Sequence, residues 1–259
     1  MQHELKTLSM DSAAQVGGVA LLAGDRLVCQ ARVQGAAGHA VLLPERLSGL
    51  LVEAAWSCAE LDLIVVTNGP GSFAGLRIAL GCAKGIALVH GTPVVGVSNL
   101  DLLAAGTGQR EGWLSVVVDA RRGELFAALY QLEKGQPHRC FAPDSALAPQ
   151  QWADTLAAMP ELRRQPICLT GSGLGPYAEL FQQALAGPVT MTTAECWIGD
   201  PFLLGRLGQR LYLQQQAMAE SRCQETAPPA GPVMTTLLDY QRRPDAEAKK
   251  QGLLCLSAP

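Results

Sequence analysis

The 259-residue sequence predicts an α/β protein of two lobes, each a mixed sheet flanked by helices. Three observations carry that prediction. The apolar patterning of the first hundred or so residues reads strand, strand, strand, helix, strand, helix, strand, helix. A glycine-bounded stretch at 106–112 then separates this run from a second hairpin. Finally, 48% of the residues are hydrophobic and 17% charged, which is ample material for a core and too apolar for a disordered chain. Aromatics are only 5%, so Leu, Val, Ile and Ala must build that core.

In the first lobe, residues 5–10, 18–22 and 26–33 read as short strands, with Gly24-Asp25 as the turn between the second and third. A helix is predicted over 39–56, where Leu43, Leu47, Leu50, Leu51 and Ala54 recur at steps of three and four. Pro44 must sit in its first turn or kink it. Residues 61–67 form a nearly continuous apolar run, as in a strand buried on both faces. A glycine-rich loop at 68–75 leads into a helix over 73–90, followed by a strand at 93–97. Ser98-Asn99-Leu100-Asp101 resembles a capping box opening another helix. The antiparallel start and the later strand–helix–strand crossovers together predict a mixed sheet.

The second lobe is predicted to begin with strands at 113–119 and 124–132 around the turn Arg121-Arg122-Gly123. After a proline-rich stretch come a helix at 149–158, a strand at 167–170, the turn Gly171-Ser172-Gly173 and a helix at 177–185. A last amphipathic helix covers about 201–219. The expected division is residues 1–108 for the first lobe, 109–199 for the second, helix 200–220 packing back on the first, and a tail at 222–259. No repeat of fixed short period is visible.

A net charge of −3 offers no electrostatic footprint for a phosphate backbone, so any RNA is expected to be held by a partner. The eight cysteines lie at least 24 positions apart with no CxxC pair, which reads as scattered reduced thiols. The beginning of the sequence lacks the profile of a signal peptide, and no uninterrupted apolar run approaches the ~18 residues of a bilayer span. The expectation is a cytoplasmic protein with no membrane association.

Among residues that could carry chemistry, the stretch from Asn68 to Arg77 stands out. Its glycines allow close backbone approach, and the amides opening the next helix could hold an anion. It lacks the Lys-Ser/Thr of a P-loop. Its Gly69-x-Gly71-x-x-Ala74 spacing fits the loose dinucleotide fingerprint, but the next strand supplies no ribose-binding acid. The other reading is a tight turn for close packing. Asp11, ending the first strand, is either a ligand for a metal–phosphate group or a solvated turn residue. Asp119, before Arg121-Arg122, is a site or an exposed turn. The four histidines form no HxxxH or HExxH pair, and neither Ser72 nor Ser172 has a GxSxG context. No catalytic set is found.

The helix at 73–90 is rich in small residues: Gly75, Ala79, Gly81, Ala83, Gly85 and Ala87. Each interior glycine costs roughly 0.5–1 kcal/mol relative to alanine, so a compensating close contact is expected. That contact is internal, with another chain, or both.

Three stretches together resemble the bacterial TsaB (YeaZ) family of tRNA threonylcarbamoyladenosine biosynthesis proteins: Leu8-Ser9-Met10-Asp11-Ser12; Gly69 to Ile78 with Ala83-Lys84-Gly85 and Gly96-Val97-Ser98; and Val118 to Glu124. The resemblance covers about residues 5–132 well. It implies an actin-like, sugar-kinase-like (RNase H-like) fold. It also implies a non-catalytic subunit that binds and activates the catalytic paralogue TsaD, with the ATPase TsaE as a further partner, a homodimer when alone, and tRNA met only through the complex. The implied interface lies on the helices at 39–56 and 73–90, through Leu47, Leu50, Leu51, Ala54, Leu76, Arg77, Ala79, Leu80, Ala83 and Lys84. On this basis Ala83→Arg should abolish pairing and leave the fold intact. No tightly bound cofactor is implied; ATP or ADP at the partner interface is left open, with Asp11, Gly69 and Gly71 as vestigial nucleotide contacts. The sequence departs from the family at Ala74, where Thr is usual, at Gln15-Val16-Gly17-Gly18, and in the missing Pro-x-Tyr-Leu-Arg motif, of which Pro232-Val233-Met234-Thr235 is the candidate remnant. The alternative is a small-molecule or acyl kinase of the same architecture.

Overall fold

The computed structural model describes residues 4–35 and 39–222. The tail beyond 222, including the candidate remnant at 232–235, lies outside the described residues.

The first sheet contains β1 (Lys6–Asp11), β2 (Val16–Ala23), β3 (Arg26–Gln34), β4 (Leu63–Gly69) and β5 (Val94–Ser98) in the order β3-β2-β1-β4-β5. The first three strands form an antiparallel meander, while β4 and β5 join in parallel. Helices α1 (His39–Glu53) and α2 (Phe73–His90) cover one face, closing a core of Leu8, Met10, Val19, Leu21, Ile64 and Val66. α1 ends three residues before the expected limit. Ala55 stands at φ 53, and the Trp56 N–H donates to the Leu51 carbonyl at 2.9 Å, which closes the helix with alanine where glycine is usual.

The second sheet repeats this plan. Its strands are β6 (Gly112–Arg121), β7 (Glu124–Glu133), β8 (Gln136–Phe141), β9 (Ile167–Thr170) and β10 (Val189–Met191), in the order β10-β9-β6-β7-β8. Read from the other edge this is β8-β7-β6-β9-β10, again an antiparallel meander followed by two parallel strands. Helices α4 (Pro149–Ala158) and α5 (Leu174–Ala184) close its outer face around Trp152 and Phe181. The repeat is therefore one of topology, with no short sequence period to announce it.

Between the lobes lie α3 (Asn99–Gly106) and α6 (Pro201–Arg222). Leu100, Leu103 and Ala104 of α3 belong to the core of the second sheet, whereas Leu102 joins Leu63, Val65, Val95 and Val97 of the first. One short helix thus serves both interiors. Asp200 caps α6, accepting from the Phe202 N–H at 2.8 Å. α6 then crosses the free face of the first sheet, where Gly205 and Gly208 bring it against Leu22 and Val65. Gln209 fastens it by donating to Thr7 Oγ1 at 2.8 Å and to the Gly24 carbonyl at 3.0 Å.

One local expectation is corrected. Ser98 stands at the N-cap of α3 but makes no capping bond. Its hydroxyl and the Asp101 carboxylate are instead engaged by the second lobe.

Candidate functional site

Two regions hold the residues singled out by sequence: the joint around Asp11 and the outer helices of the first lobe. At the joint, the turn after β1 and the loop before α2 are pressed together. The Ser72 N–H donates to the Ala13 carbonyl at 2.7 Å, and Ser12 Oγ donates to the Gly75 carbonyl at 2.6 Å. A Cβ at Gly71 would lie 2.5 Å from the Ala13 oxygen, and one at Gly75 would penetrate the Ser12 carbonyl. Ser72 caps α2, accepting from the Gly75 N–H at 3.3 Å. Gly69 precedes a cis bond to Pro70. The loop is a tight turn packed closely against the turn that follows β1.

Asp11 is 1% exposed, so it is no solvated turn residue. Its Oδ1 accepts from the Ala13 N–H at 3.0 Å and from Thr67 Oγ1 at 2.7 Å. The backbone of Gly199, arriving from the second lobe, lies directly over the other oxygen, leaving no space even for a Cβ there. These residues do not fit a metal-bound phosphate, because the carboxylate is spent on the joint itself. Among the described residues no group of three His, Cys, Asp or Glu could hold a metal ion. Burial pushes the Cys29, Cys82 and Cys168 thiols above their ordinary range, away from thiolate chemistry. In the second lobe, Asp119 accepts from the Arg121 N–H at 2.8 Å within an exposed hairpin turn.

The helical surface is the second region. Both α1 and α2 return antiparallel to the strands they connect, so they run side by side in one direction. Most residues assigned to an interface by resemblance face inward. Leu47, Leu50, Leu51, Ala79, Leu80 and Ala83 are buried in the lobe's own core, Ala54 packs against it, and Leu76 is buried as well. The cause is the period itself: the positions recurring at three and four residues are those that meet the sheet. Ala83 is 0% exposed, so Ala83→Arg would break the core rather than a pairing. Lys84 is half-buried, and Arg77 is exposed, its guanidinium 3.8 Å from the centre of the Phe73 ring.

The opposite face was missed from sequence and is the more unusual. Val41 and Phe73 mark one end of the helix pair, exposed by 70% and 51%. Val52, Leu88 and Val89 mark the other, exposed by 79%, 83% and 75%. Between these apolar ends lie Gly49, Gly81 and Gly85, and a Cβ at any of the three would meet nothing within 4 Å. The result is a saddle, low in the middle and apolar at its rims. α2 is long and apolar enough to cross a bilayer, yet a third of it is buried against the sheet. The overlooked signal was the presence of apolar residues off the core stripe of each helix.

Residues 34–249 match the family described as TsaD, tRNA N6-adenosine threonylcarbamoyltransferase. The chain belongs to that family. Within the TsaD family it is similar to the TsaB (YeaZ) proteins, as the motifs predicted. It is 28% identical to the tRNA threonylcarbamoyladenosine biosynthesis protein TsaB of Bacillus subtilis, across 93% of this chain and 96% of that one. It is 30% identical to the TsaB of Escherichia coli over 50% of this chain and 57% of the other. The solved structure of YeaZ from Pseudomonas aeruginosa superposes with a TM-score of 0.67 at 26% identity, covering 82% of this chain and 94% of that one. The expected actin-like, two-lobed architecture is thereby borne out.

Proposed function

We propose that this chain takes part in making threonylcarbamoyladenosine in tRNA, as a non-catalytic subunit that binds and activates TsaD through the saddle formed by α1 and α2. The names and near-full-length match of its TsaB relatives support the pathway. The open glycines support the mode of action. Gly81 and Gly85 weaken α2, and nothing among the described residues packs into the space they leave. A neighbouring helix crossing there could approach closely, while Val41, Val52, Phe73, Leu88 and Val89 supply apolar area at both rims. Alone, the same face would pair two copies; TsaE and tRNA would then be met through the complex, consistent with a net charge of −3. Any ATP or ADP would sit at the seam with the partner.

The test is co-purification with TsaD and a tRNA modification assay with and without this chain. Gly81→Arg should leave thermal stability within about 1 kcal/mol, because the site is open, while abolishing co-purification and stimulation. Normal pairing by Gly81→Arg, or full TsaD activity without this chain, would sink the proposal.

A further inference from the structure

The diverted capping box at the start of α3 has a second-lobe counterpart. Arg139, on the edge strand β8, donates from Nη2 to Ser98 Oγ at 2.8 Å and to Asp101 Oδ1 at 2.7 Å, with Nε at 3.1 Å from the same oxygen. That oxygen also accepts from the Tyr130 hydroxyl at 2.8 Å. Tyr130 is fully buried, so its hydroxyl needs this partner, and the Arg139 guanidinium lies 5.8 Å from its ring. Burial, then the Asp101 charge, push the Tyr130 phenol well above its ordinary range, so it stays a donor. Ser98 ends β5 of the first lobe and Asp101 lies on α3, which serves both interiors, while Tyr130 and Arg139 belong to the second lobe. At the other end of β8, Gln136 accepts from Arg210 of α6, again across the lobes.

We infer that β8 is a strap which holds the two lobes at one angle, with Arg139 as its latch. Three features make this more than a surface ion pair. The arginine gathers two acceptors on one helix turn and so fixes direction as well as distance. α3 has forgone its own cap to supply them. The strap itself has little apolar anchorage: five of its six residues from Gln136 to Phe141 are exposed, and its one aromatic residue, Phe141, stacks on Trp152 at 5.9 Å. Its backbone is held on one side by pairing with β7, and polar ties to α3 and α6 join its side chains to the rest of the molecule. The two lobes would thereby be fastened into one body.

Hydrogen exchange on the full chain tests the latch. Arg139→Ala should raise amide exchange about tenfold in both Asn99–Gly106 and Gln136–Phe141, with β1 and β6 unchanged. X-ray scattering should register a larger radius of gyration. Asp101→Asn, which keeps an acceptor for Tyr130, should raise exchange in the same two segments by less. A rise confined to Gln136–Phe141, or no rise in either segment, would overturn the latch. The result is independent of TsaD binding, so it stands or falls apart from the proposed function.

Discussion

In the first lobe, the residue one past the last β1–β4 pair, Met10↔Val66, is Asp11. In the second, the residue one past the last β6–β9 pair, Val116↔Thr170, is Val117. Both are buried, the one bonded to Ala13 and Thr67, the other in an apolar core. Yet the loops above them are built alike. Gly71 and Gly75 meet the carbonyls of Ala13 and Ser12, while Gly171 and Gly173 meet that of Val117. The second lobe keeps its glycines above an apolar residue, with Asp119 meeting the loop only through its backbone N–H, which donates to Ser172 Oγ at 3.1 Å. Such glycines are therefore a requirement of the strand–loop–helix packing, which repeats, and need no phosphate to explain them. The short turns before β4 and β9 differ in the same spirit. Cys58–Glu60 is held by polar bonds to Ser57 and Lys6, whereas Glu161–Arg163 is held by burying Leu162.

The largest effect that tests this contrast should come from Gly75→Val. It drives a branched side chain into the Ser12 carbonyl and should cost about 3 kcal/mol in urea unfolding. A variant as stable as wild type would show that the joint can open, and the packing explanation of the glycines would fail. Asp11→Ala comes next. Losing an acceptor for two buried donors should cost about 2 kcal/mol by the same measurement. A neutral result would make the two lobes equivalent after all.

The smallest effect concerns Glu60. The hydrogen bond from Lys6, then those from Ser57, hold its carboxyl at about 2, below the ordinary 4.5. A depressed value in the folded state means that its contribution is complete above pH 4.5 and is lost as pH falls through 2. Glu60→Gln should flatten the stability slope over that window and change little else. An unchanged slope would remove the polar account of that turn.

Much of the plan was legible because apolar period reports which backbone is buried. β1 to β7, β9, α1 and α2 announce themselves this way, α6 does so through Pro201 and its stripe, and α3 was placed by a capping-box pattern whose bonds the structure diverts. β8 did not, because a strand reading Gln-Pro-His-Arg-Cys-Phe with most residues exposed carries no apolar alternation. With it went Arg139, whose partners lie 38 and 41 positions away. Asp11 was noticed, but its burial depends on Gly199, far along the chain, which no local pattern can register. The helix faces were assigned backwards for a different reason. Small residues occupy both sides of α2, so composition marked the helix while only the sheet's position could say which side was free.

The chain's last described helix finishes its first sheet, and this sets an order for synthesis. A nascent chain emerging from the ribosome would expose the face formed by Leu22, Leu63 and Val65 until Gly205 and Gly208 arrive to cover it. The strands of both sheets are contiguous in sequence, but only the first sheet must wait for α6 to cover its second face. The lobe translated first would then be the lobe completed last, and chaperone demand should fall on its bare sheet during that interval.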